Sequence, residues 1–155
     1  MPDSPEVQRP KVLVVDDDPL IVTLLGALLR GEGFDALEAT GGEQALRLAS
    51  AEIPDVVLLD IMMPGIDGFE VCRRLQMDPV TENIPVIFLT ASMKPEHISR
   101  STEMGAGGYI TKPFSPPALV NTLKEVCSLE GESSSVLRHS ESERLIMTAQ
   151  MPREQ

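Results

Sequence analysis

Short apolar runs alternate along the chain with longer segments whose apolar residues recur at helical spacing. Runs rich in β-branched residues are typical of strands, and the longer segments are typical of helices. The run at 34–39 alternates only in part, which places it nearer to a sheet edge than the other runs. The predicted strands are KVLVV at 11–15, FDALEA at 34–39, DVVLL at 55–59, IPVIFLT at 84–90 and GGYIT at 107–111.

A helical segment follows each predicted strand. The five segments lie at 18–33, 43–52, 67–76, 94–105 and 115–129. Asp18 is a candidate N-cap for the first segment, with Pro19 at the first helical position. Thr40 and Glu43 form a capping-box pattern before the second segment, and Ser115 is expected to cap the last one.

This alternation predicts an α/β fold, with a five-stranded parallel sheet whose two faces are covered by five helices. The runs at 11–15, 55–59 and 84–90 are almost entirely apolar, so these strands are expected to lie in the middle of the sheet. The alternation alone does not fix the order of the strands.

The composition divides the 155 residues into one domain and two flanking segments. We expect a folded domain at 9–129 and a flexible N-terminus at 1–8. Residues 130–155 are rich in Ser and Glu and lack a strand signal, which predicts a linker or tail with room for a short helix.

The chain is acidic, with a formal net charge of -11 and a pI of about 4.5. A surface of this charge repels phosphate backbones, so direct binding of nucleic acid is disfavoured. Cations and basic protein surfaces are better candidate partners. Aromatic residues make up only 3% of the chain, so the core must be largely aliphatic.

The two cysteines and the N-terminus bear on the compartment. Cys72 and Cys127 fall in helical segments and lack metal-ligand spacing, which predicts buried, reduced thiols in a cytoplasmic protein. The N-terminus has no apolar signal-peptide region, and no apolar run approaches the ~18 residues that span a membrane.

Polar side chains follow the ends of four predicted strands, where ligands bind in parallel α/β sheets. They are Asp16, Asp17 and Asp18 after the first strand, Asp60 after the third, Thr90 at the end of the fourth and Lys112 after the fifth. Singly, each has an ordinary explanation: an aspartate run caps a helix, Asp60 marks a strand that has reached water, and a lone lysine is solvated.

Together these side chains predict a metal site with phosphoryl-transfer chemistry. Converging carboxylates repel one another, and Lys112 supplies only one positive charge. Mg²⁺ resolves this conflict because it prefers oxygen ligands and is often held by one or two carboxylates. A magnesium ion, a lysine and a hydroxyl stabilise a transferring phosphoryl group, and an aspartate can act as the nucleophile.

Four ordered segments, VLVVDDDP, DVVLLDIMMPGIDG, IPVIFLTAS and GGYITKPF, resemble the receiver domain of two-component response regulators. The resemblance covers about residues 9–129. It implies a doubly wound sheet with the strand order 2-1-3-4-5. It also implies that Asp60 accepts a phosphoryl group from a sensor histidine kinase or a phosphotransfer protein.

The resemblance further implies a Mg²⁺ site. Asp17 is expected to bind the metal directly and Asp16 directly or through water, with Asp60 and the backbone carbonyl of Met62 completing the protein ligands. Asp18 then remains the cap of the helix, since the first strand ends at Val15.

Other roles are implied by the same family. Lys112 is expected to pair with the phosphoryl group and to precede a cis bond to Pro113. Thr90 would hydrogen-bond the phosphoryl group, and Tyr109 would turn inward as Thr90 moves. Without the resemblance, the sequence favours for Tyr109 an amphipathic edge residue with its hydroxyl in water. Ser92, like Met62, is expected to tune the lifetime of the phosphoryl group.

Phosphorylation is expected to reorder the face formed by the fourth helix, the fifth strand and the fifth helix. The output is then a protein contact, with either a downstream protein or an output domain missing from these 155 residues. A homodimer through the fourth and fifth helices is an open alternative to a monomer.

Two other readings compete with the receiver. A haloacid-dehalogenase-like phosphatase would use Asp16 as its nucleophile, but Asp18 is followed by Pro19-Leu rather than Gly-Thr, and no cap domain is evident. A phosphorylation-independent interaction module would need none of the site residues, and the complete set argues against it.

Overall fold

The computed structural model describes residues 9–132, in which strands and helices alternate strictly. The strands are β1 Lys11–Val15, β2 Asp35–Ala39, β3 Val56–Leu59, β4 Val86–Thr90 and β5 Gly108–Thr111. The helices are α1 Pro19–Gly31, α2 Gly42–Glu52, α3 Gly68–Met77, α4 Pro95–Glu103 and α5 Pro116–Glu132. The predicted N-terminal segment 1–8 and residues 133–155 of the predicted tail lie outside the described residues.

The sheet is parallel and has the order β2-β1-β3-β4-β5, which confirms the predicted doubly wound α/β fold. Val15 at the end of β1 pairs with both Ala39 and Leu59. The carboxyl ends of β2, β1 and β3 therefore lie level with one another. The polar residues that follow these strands are delivered to one edge of the sheet.

Each face of the sheet has its own apolar core. Alternate residues of β1 point to opposite sides, with Leu13 and Val15 in one core and Val12 and Val14 in the other. Helices α2 and α3 cover the first core, and α1 and α5 cover the second. Strands β1, β3 and β4 are buried almost throughout, as their apolar runs predicted.

Two of the predicted N-caps are as expected, and the capping box is wrong. The Asp18 carboxylate accepts from the Leu20 N–H at 3.0 Å, and the Ser115 hydroxyl accepts from the Ala118 N–H at 3.3 Å. Helix α2 instead has Gly41 as its N-cap, without a side-chain hydrogen bond.

The error in α2 is one of register. The helix begins at Gly42, so Gln44 rather than Glu43 stands at the third helical position. The Gln44 side chain accepts from the Thr40 N–H at 2.9 Å and so makes the backward bond expected of Glu43. A Cβ at Gly42 would meet the side chains of Ile66 and Val71, which would have to shift to accept a larger residue where α2 begins.

Smaller differences concern element ends and the cysteines. Phe34 precedes β2 rather than opening it, and its ring is buried. Helix α5 continues to Glu132, beyond the predicted end at 129. Cys72 is buried, and burial raises the pKa of its thiol to about 11, whereas Cys127 is only half-buried; neither forms a disulfide. None of the helices within residues 9–132 combines the length and the apolar character needed to cross a membrane.

Candidate functional site

Three aspartates meet at the carboxyl edge of the sheet. Asp16, Asp17 and Asp60 each offer a carboxylate oxygen, and these atoms lie within 4.8 Å of one another. The Asp60 N–H donates to the Val15 carbonyl at 3.0 Å, so the residue is fixed by the neighbouring strand. Asp16 and Asp60 are buried while Asp17 is exposed, which leaves the cluster open to solvent on one side.

Lys112 is the cation of this cluster. Its Nζ lies 2.6 Å from Asp16 Oδ2 and 3.9 Å from Asp60 Oδ2. Its backbone N–H donates to the Thr90 carbonyl at 2.9 Å, and the bond to Pro113 is cis. One ammonium thus faces three carboxylates and pairs most closely with Asp16, so the cluster keeps a negative charge that a further cation would neutralise.

The electrostatic environment of Asp60 favours its protonated form. Burial raises the pKa of the Asp60 carboxyl above its ordinary value, and the nearby Asp16 raises it further. Lys112 opposes this increase, as do hydrogen bonds from the Thr90 hydroxyl and the backbone N–H of Ile61. Additional positive charge at the cluster would therefore favour ionisation of Asp60.

Thr90 and Tyr109 are both fully buried beside the cluster. The Ser92 N–H donates to the Thr90 hydroxyl oxygen at 3.4 Å, and the Tyr109 hydroxyl donates to the Ser92 carbonyl at 2.8 Å. Burial raises the pKa of the Tyr109 phenol. Tyr109 thus points inward rather than placing its hydroxyl in water, while its movement with Thr90 stays a prediction.

The loop after β3 depends on a glycine that the sequence analysis missed. The Gly68 N–H donates to the Ile61 carbonyl at 2.8 Å. A Cβ at Gly68 would overlap the carbonyl oxygen of Asp60 and lie 2.8 Å from Ile61 Cα. A glycine at a first helical position, where its propensity is poor, is the signal that would have pointed to this close approach.

Met62 is the predicted metal ligand that the geometry supports least directly. Its side chain is 60% exposed. The predicted ligand is its backbone carbonyl, which follows Asp60 in the same loop. That role stays a prediction, as do the metal roles of the three aspartates.

His97 is a second residue that the sequence analysis missed. Its Nδ1 lies 2.6 Å from the Ser92 hydroxyl oxygen. Its ring packs edge-on against Phe69, with ring centroids 5.5 Å apart. No motif or spacing in the sequence links His97 to Ser92, so only the fold shows the contact.

Comparison with known proteins gives a consistent result. The family described as the response regulator receiver domain matches residues 12–124. Over 115 residues the chain is 43% identical to the DNA-binding response regulator MtrA of Mycolicibacterium smegmatis, covering 74% of this chain and 49% of that protein. Over 124 residues it is 41% identical to the phosphate regulon transcriptional regulatory protein PhoB of Pseudomonas aeruginosa, covering 80% of this chain and 54% of that protein. The chain thus spans about half the length of these relatives.

Solved structures show the same likeness. The chemotaxis protein CheY4 of Vibrio cholerae superposes with a TM-score of 0.73 at 33% identity, covering 77% of this chain and 99% of that one. The receiver domain of the Francisella response regulator 1452 also gives a TM-score of 0.73 at 33% identity, covering 79% of this chain and 99% of that one.

Proposed function

This chain belongs to the response regulator receiver domain family, and we propose that Asp60 is its phosphoacceptor. The donor would be a phosphohistidine on a sensor histidine kinase or a phosphotransfer protein. One observation carries the proposal: Asp60 directly follows the buried strand β3, with two other carboxylates within 4.8 Å and the Lys112 ammonium at 3.9 Å.

The proposed reaction is a transfer followed by hydrolysis. An Asp60 carboxylate oxygen attacks phosphorus, the bond from phosphorus to the imidazole nitrogen breaks, and the imidazole leaves with the electron pair. The product is an acyl phosphate on Asp60, which water later cleaves to restore the carboxylate and release phosphate. The cycle of transfer and self-catalysed loss makes the domain a switch rather than a turnover enzyme.

The donor set fits Mg²⁺. We propose that Asp16, Asp17, Asp60 and the backbone carbonyl of Met62 hold the metal, because all four offer the oxygen atoms that it prefers. When bound, Mg²⁺ supplies the charge that a single lysine leaves uncompensated and neutralises phosphoryl oxygens.

The residues of the chain would position the phosphoryl group. Lys112 lies closer to Asp16 than to Asp60, so its ammonium can turn toward a phosphoryl group without breaking a strong pair with the nucleophile. The Thr90 hydroxyl faces the Asp60 carboxyl and would donate to a phosphoryl oxygen instead. Ser92 and Met62 lie two residues beyond Thr90 and Asp60, and we propose that they control the approach of water.

A phosphoryl group on Asp60 would add about two negative charges beside Thr90. We propose that the resulting movement of Thr90 and Tyr109 biases α4, β5 and α5 between two arrangements. The signal would leave this face through protein contacts, with a downstream protein, an output domain or a second copy of the chain. Relatives whose names describe DNA-binding regulators support an output domain, while the net charge of -11 on the 155 residues argues against nucleic acid binding by this part of the protein. Transfer from a sensor kinase would take place in the cytoplasm, where we propose that the domain acts.

Labelling with ³²P-acetyl phosphate in the presence of Mg²⁺ tests the proposal. Wild type should become labelled, and Asp60→Asn should abolish the label because the nucleophilic oxygen is lost. Asp35→Asn is the matched control, since Asp35 is exposed and starts β2.

Two outcomes contradict the proposal. Label retained by Asp60→Asn but lost from Asp16→Asn would identify the dehalogenase-like nucleophile instead. Absence of label from the folded wild-type protein would favour a module that works without phosphorylation.

A further inference from the structure

Ser92 connects the buried site to helix α4 through three different atoms. Its N–H donates to the Thr90 hydroxyl oxygen at 3.4 Å, and its carbonyl accepts from the Tyr109 hydroxyl at 2.8 Å. Its own hydroxyl oxygen lies 2.6 Å from His97 Nδ1 in the first turn of α4. One residue thus contacts both buried polar side chains beside the cluster and the helix that follows them.

Helix α4 buries few of its side chains. Ser101 is its only fully buried residue among nine, Ile98 packs half-buried against the core, and the Arg100 guanidinium lies 4.3 Å from the centre of the Phe69 ring. Its N-cap, Lys94, makes no side-chain cap hydrogen bond. His97 contributes two contacts on its half-buried side: the bond to Ser92 and the edge-on packing against Phe69 at 5.5 Å. These contacts fasten the first turn of α4 to the loop after β4 and to α3.

The Ser92 hydroxyl has two hydrogen-bonding partners. The Lys94 N–H donates to the Ser92 hydroxyl oxygen at 3.3 Å. The hydroxyl also has a second lone pair and a proton, so it can pair with His97 Nδ1 as acceptor or as donor, according to the tautomer of the ring. With its side chain held in this way, Ser92 has little freedom to rotate its carbonyl away from Tyr109.

We propose that His97 is a positioning residue: by holding the Ser92 hydroxyl, it keeps the Ser92 carbonyl opposite the Tyr109 hydroxyl and ties helix α4 to the buried position of Tyr109. Loss of the bond would free the loop at 91–94 and let Tyr109 leave the interior. The signalling consequence, that movement of Thr90 reaches α4 through Ser92, rests on the proposed function.

The chain carries its own probe of this coupling. Tyr109 is the only tyrosine and there is no tryptophan, so intrinsic fluorescence reports this one ring. Acrylamide quenching measures how much of the time the ring is accessible to solvent. Because one net hydrogen bond changes an equilibrium roughly two- to tenfold, Ser92→Ala and His97→Leu should each raise the quenching constant by up to that factor.

The variants separate the hydrogen bond from the packing. His97→Leu keeps apolar volume against Phe69 but has no hydrogen-bonding group, whereas His97→Asn keeps a hydrogen-bonding amide near the position of Nδ1 and should restore quenching toward wild type. The double variant of Ser92→Ala and His97→Leu should quench no more than either single variant. Ser99→Ala, at an exposed position of the same helix, is the control and should match wild type.

Three results would overturn the inference. They are quenching in His97→Leu equal to that of wild type, equal quenching in His97→Leu and His97→Asn, and additive effects in the double variant. If circular dichroism shows that His97→Leu does not fold, the test rests on Ser92→Ala, which removes only the hydroxyl. Quenching in Ser92→Ala equal to that of wild type would then overturn the inference.

A second measurement keeps this inference apart from the proposed function. His97→Leu should still be labelled by ³²P-acetyl phosphate with Mg²⁺, to within about twofold of wild type, because His97 does not contact Asp60. If wild type is not labelled, the proposed function is contradicted, but the quenching result still supports the role of His97. Loss of label from His97→Leu alone would mean that His97 acts on the phosphorylation site and would overturn its assignment as a positioning residue for Tyr109.

Discussion

At the level of single residues, the Asp60 carboxyl combines burial with incomplete charge compensation. The Lys112 ammonium is 2.6 Å from Asp16 but 3.9 Å from Asp60, so the cation is committed mainly to a neighbour. An aspartate paired tightly with lysine would be a poor nucleophile, because its electron pairs would be engaged. The Asp60 carboxylate is therefore not engaged by a close ion pair, but its negative charge is only partly compensated.

That imbalance predicts a pH-dependent effect of Asp60→Asn on stability. Because the folded-state pKa of Asp60 is raised, its contribution to stability is complete below the unfolded pKa of about 3.8 and is lost as the pH rises through the folded value. At pH 7 without divalent cations, removal of this charge should therefore raise the free energy of unfolding, because the folded state holds the ionised carboxyl less favourably than the unfolded chain does. Urea unfolding in EDTA at pH 7 measures the gain.

Urea unfolding repeated at low pH provides the control for this prediction. Near pH 3.5 the wild-type carboxyl is largely protonated in both states, so the gain from Asp60→Asn should shrink toward zero. Asp35→Asn, at an exposed position, should have little effect at either pH. An equal gain from Asp60→Asn at both pH values would show that packing, not charge, is responsible.

At the level of elements, the site depends on how helix α3 meets the end of β3. Asp67 caps α3 by accepting from the Glu70 N–H at 2.9 Å. The turn before it is made possible by Gly65, whose φ of +79° lies in the left-handed region that favours glycine. The first residue of the helix, Gly68, then rests directly on the backbone of Asp60. The backbone of Asp60, the proposed nucleophile, is thus held in position by both β3 and α3.

Gly68→Ala should disturb both elements at once. The added methyl group would overlap the Asp60 carbonyl oxygen, and backbone cannot move aside as a flexible side chain can. We expect a loss of about 2–4 kcal/mol in the free energy of unfolding, measured with urea. We also expect slower labelling by acetyl phosphate in the fraction that stays folded, because Asp60 would be displaced.

Gly31→Ala is the matched control for this change. Gly31 also lies in a helix, and nothing is within 4 Å of a Cβ built on it. Alanine there should be neutral or slightly stabilising. Similar behaviour of the two variants would mean that the contact of α3 with Asp60 is not tight.

At the level of the whole molecule, the sequence predicted what depends on local pattern and on strand ends. Apolar runs marked β1, β3 and β4 as central, and the residues after each strand marked the cluster, because parallel strands deliver their carboxyl ends to one edge. The start of α2 and the contact of Gly68 with Asp60 were missed because they depend on how closely one element approaches another. The bond from His97 to Ser92 joins two residues without any spacing rule, so it appears only once α4 is placed.

The charge of the whole chain complicates a test of metal binding and also shows how to design it. With a net charge of -11, any salt should stabilise the fold by screening repulsion, so stabilisation by Mg²⁺ alone proves little. The comparison must therefore be made with NaCl at equal ionic strength. Asp17→Asn provides the matched variant, because Asp17 is the exposed member of the cluster and its loss leaves the buried pair of Lys112 with Asp16 intact.

Mg²⁺ at about ten times its Kd should stabilise wild type by about 1.4 kcal/mol beyond the NaCl control. For a domain of this size that corresponds to an increase in Tm of roughly 4–8 °C, measured by circular dichroism or calorimetry. In Asp17→Asn the excess over NaCl should largely disappear, while the screening effect common to both salts remains. If Mg²⁺ and NaCl stabilise wild type equally, the three aspartates do not form a metal site, and charge repulsion within the cluster must be relieved by Lys112 alone.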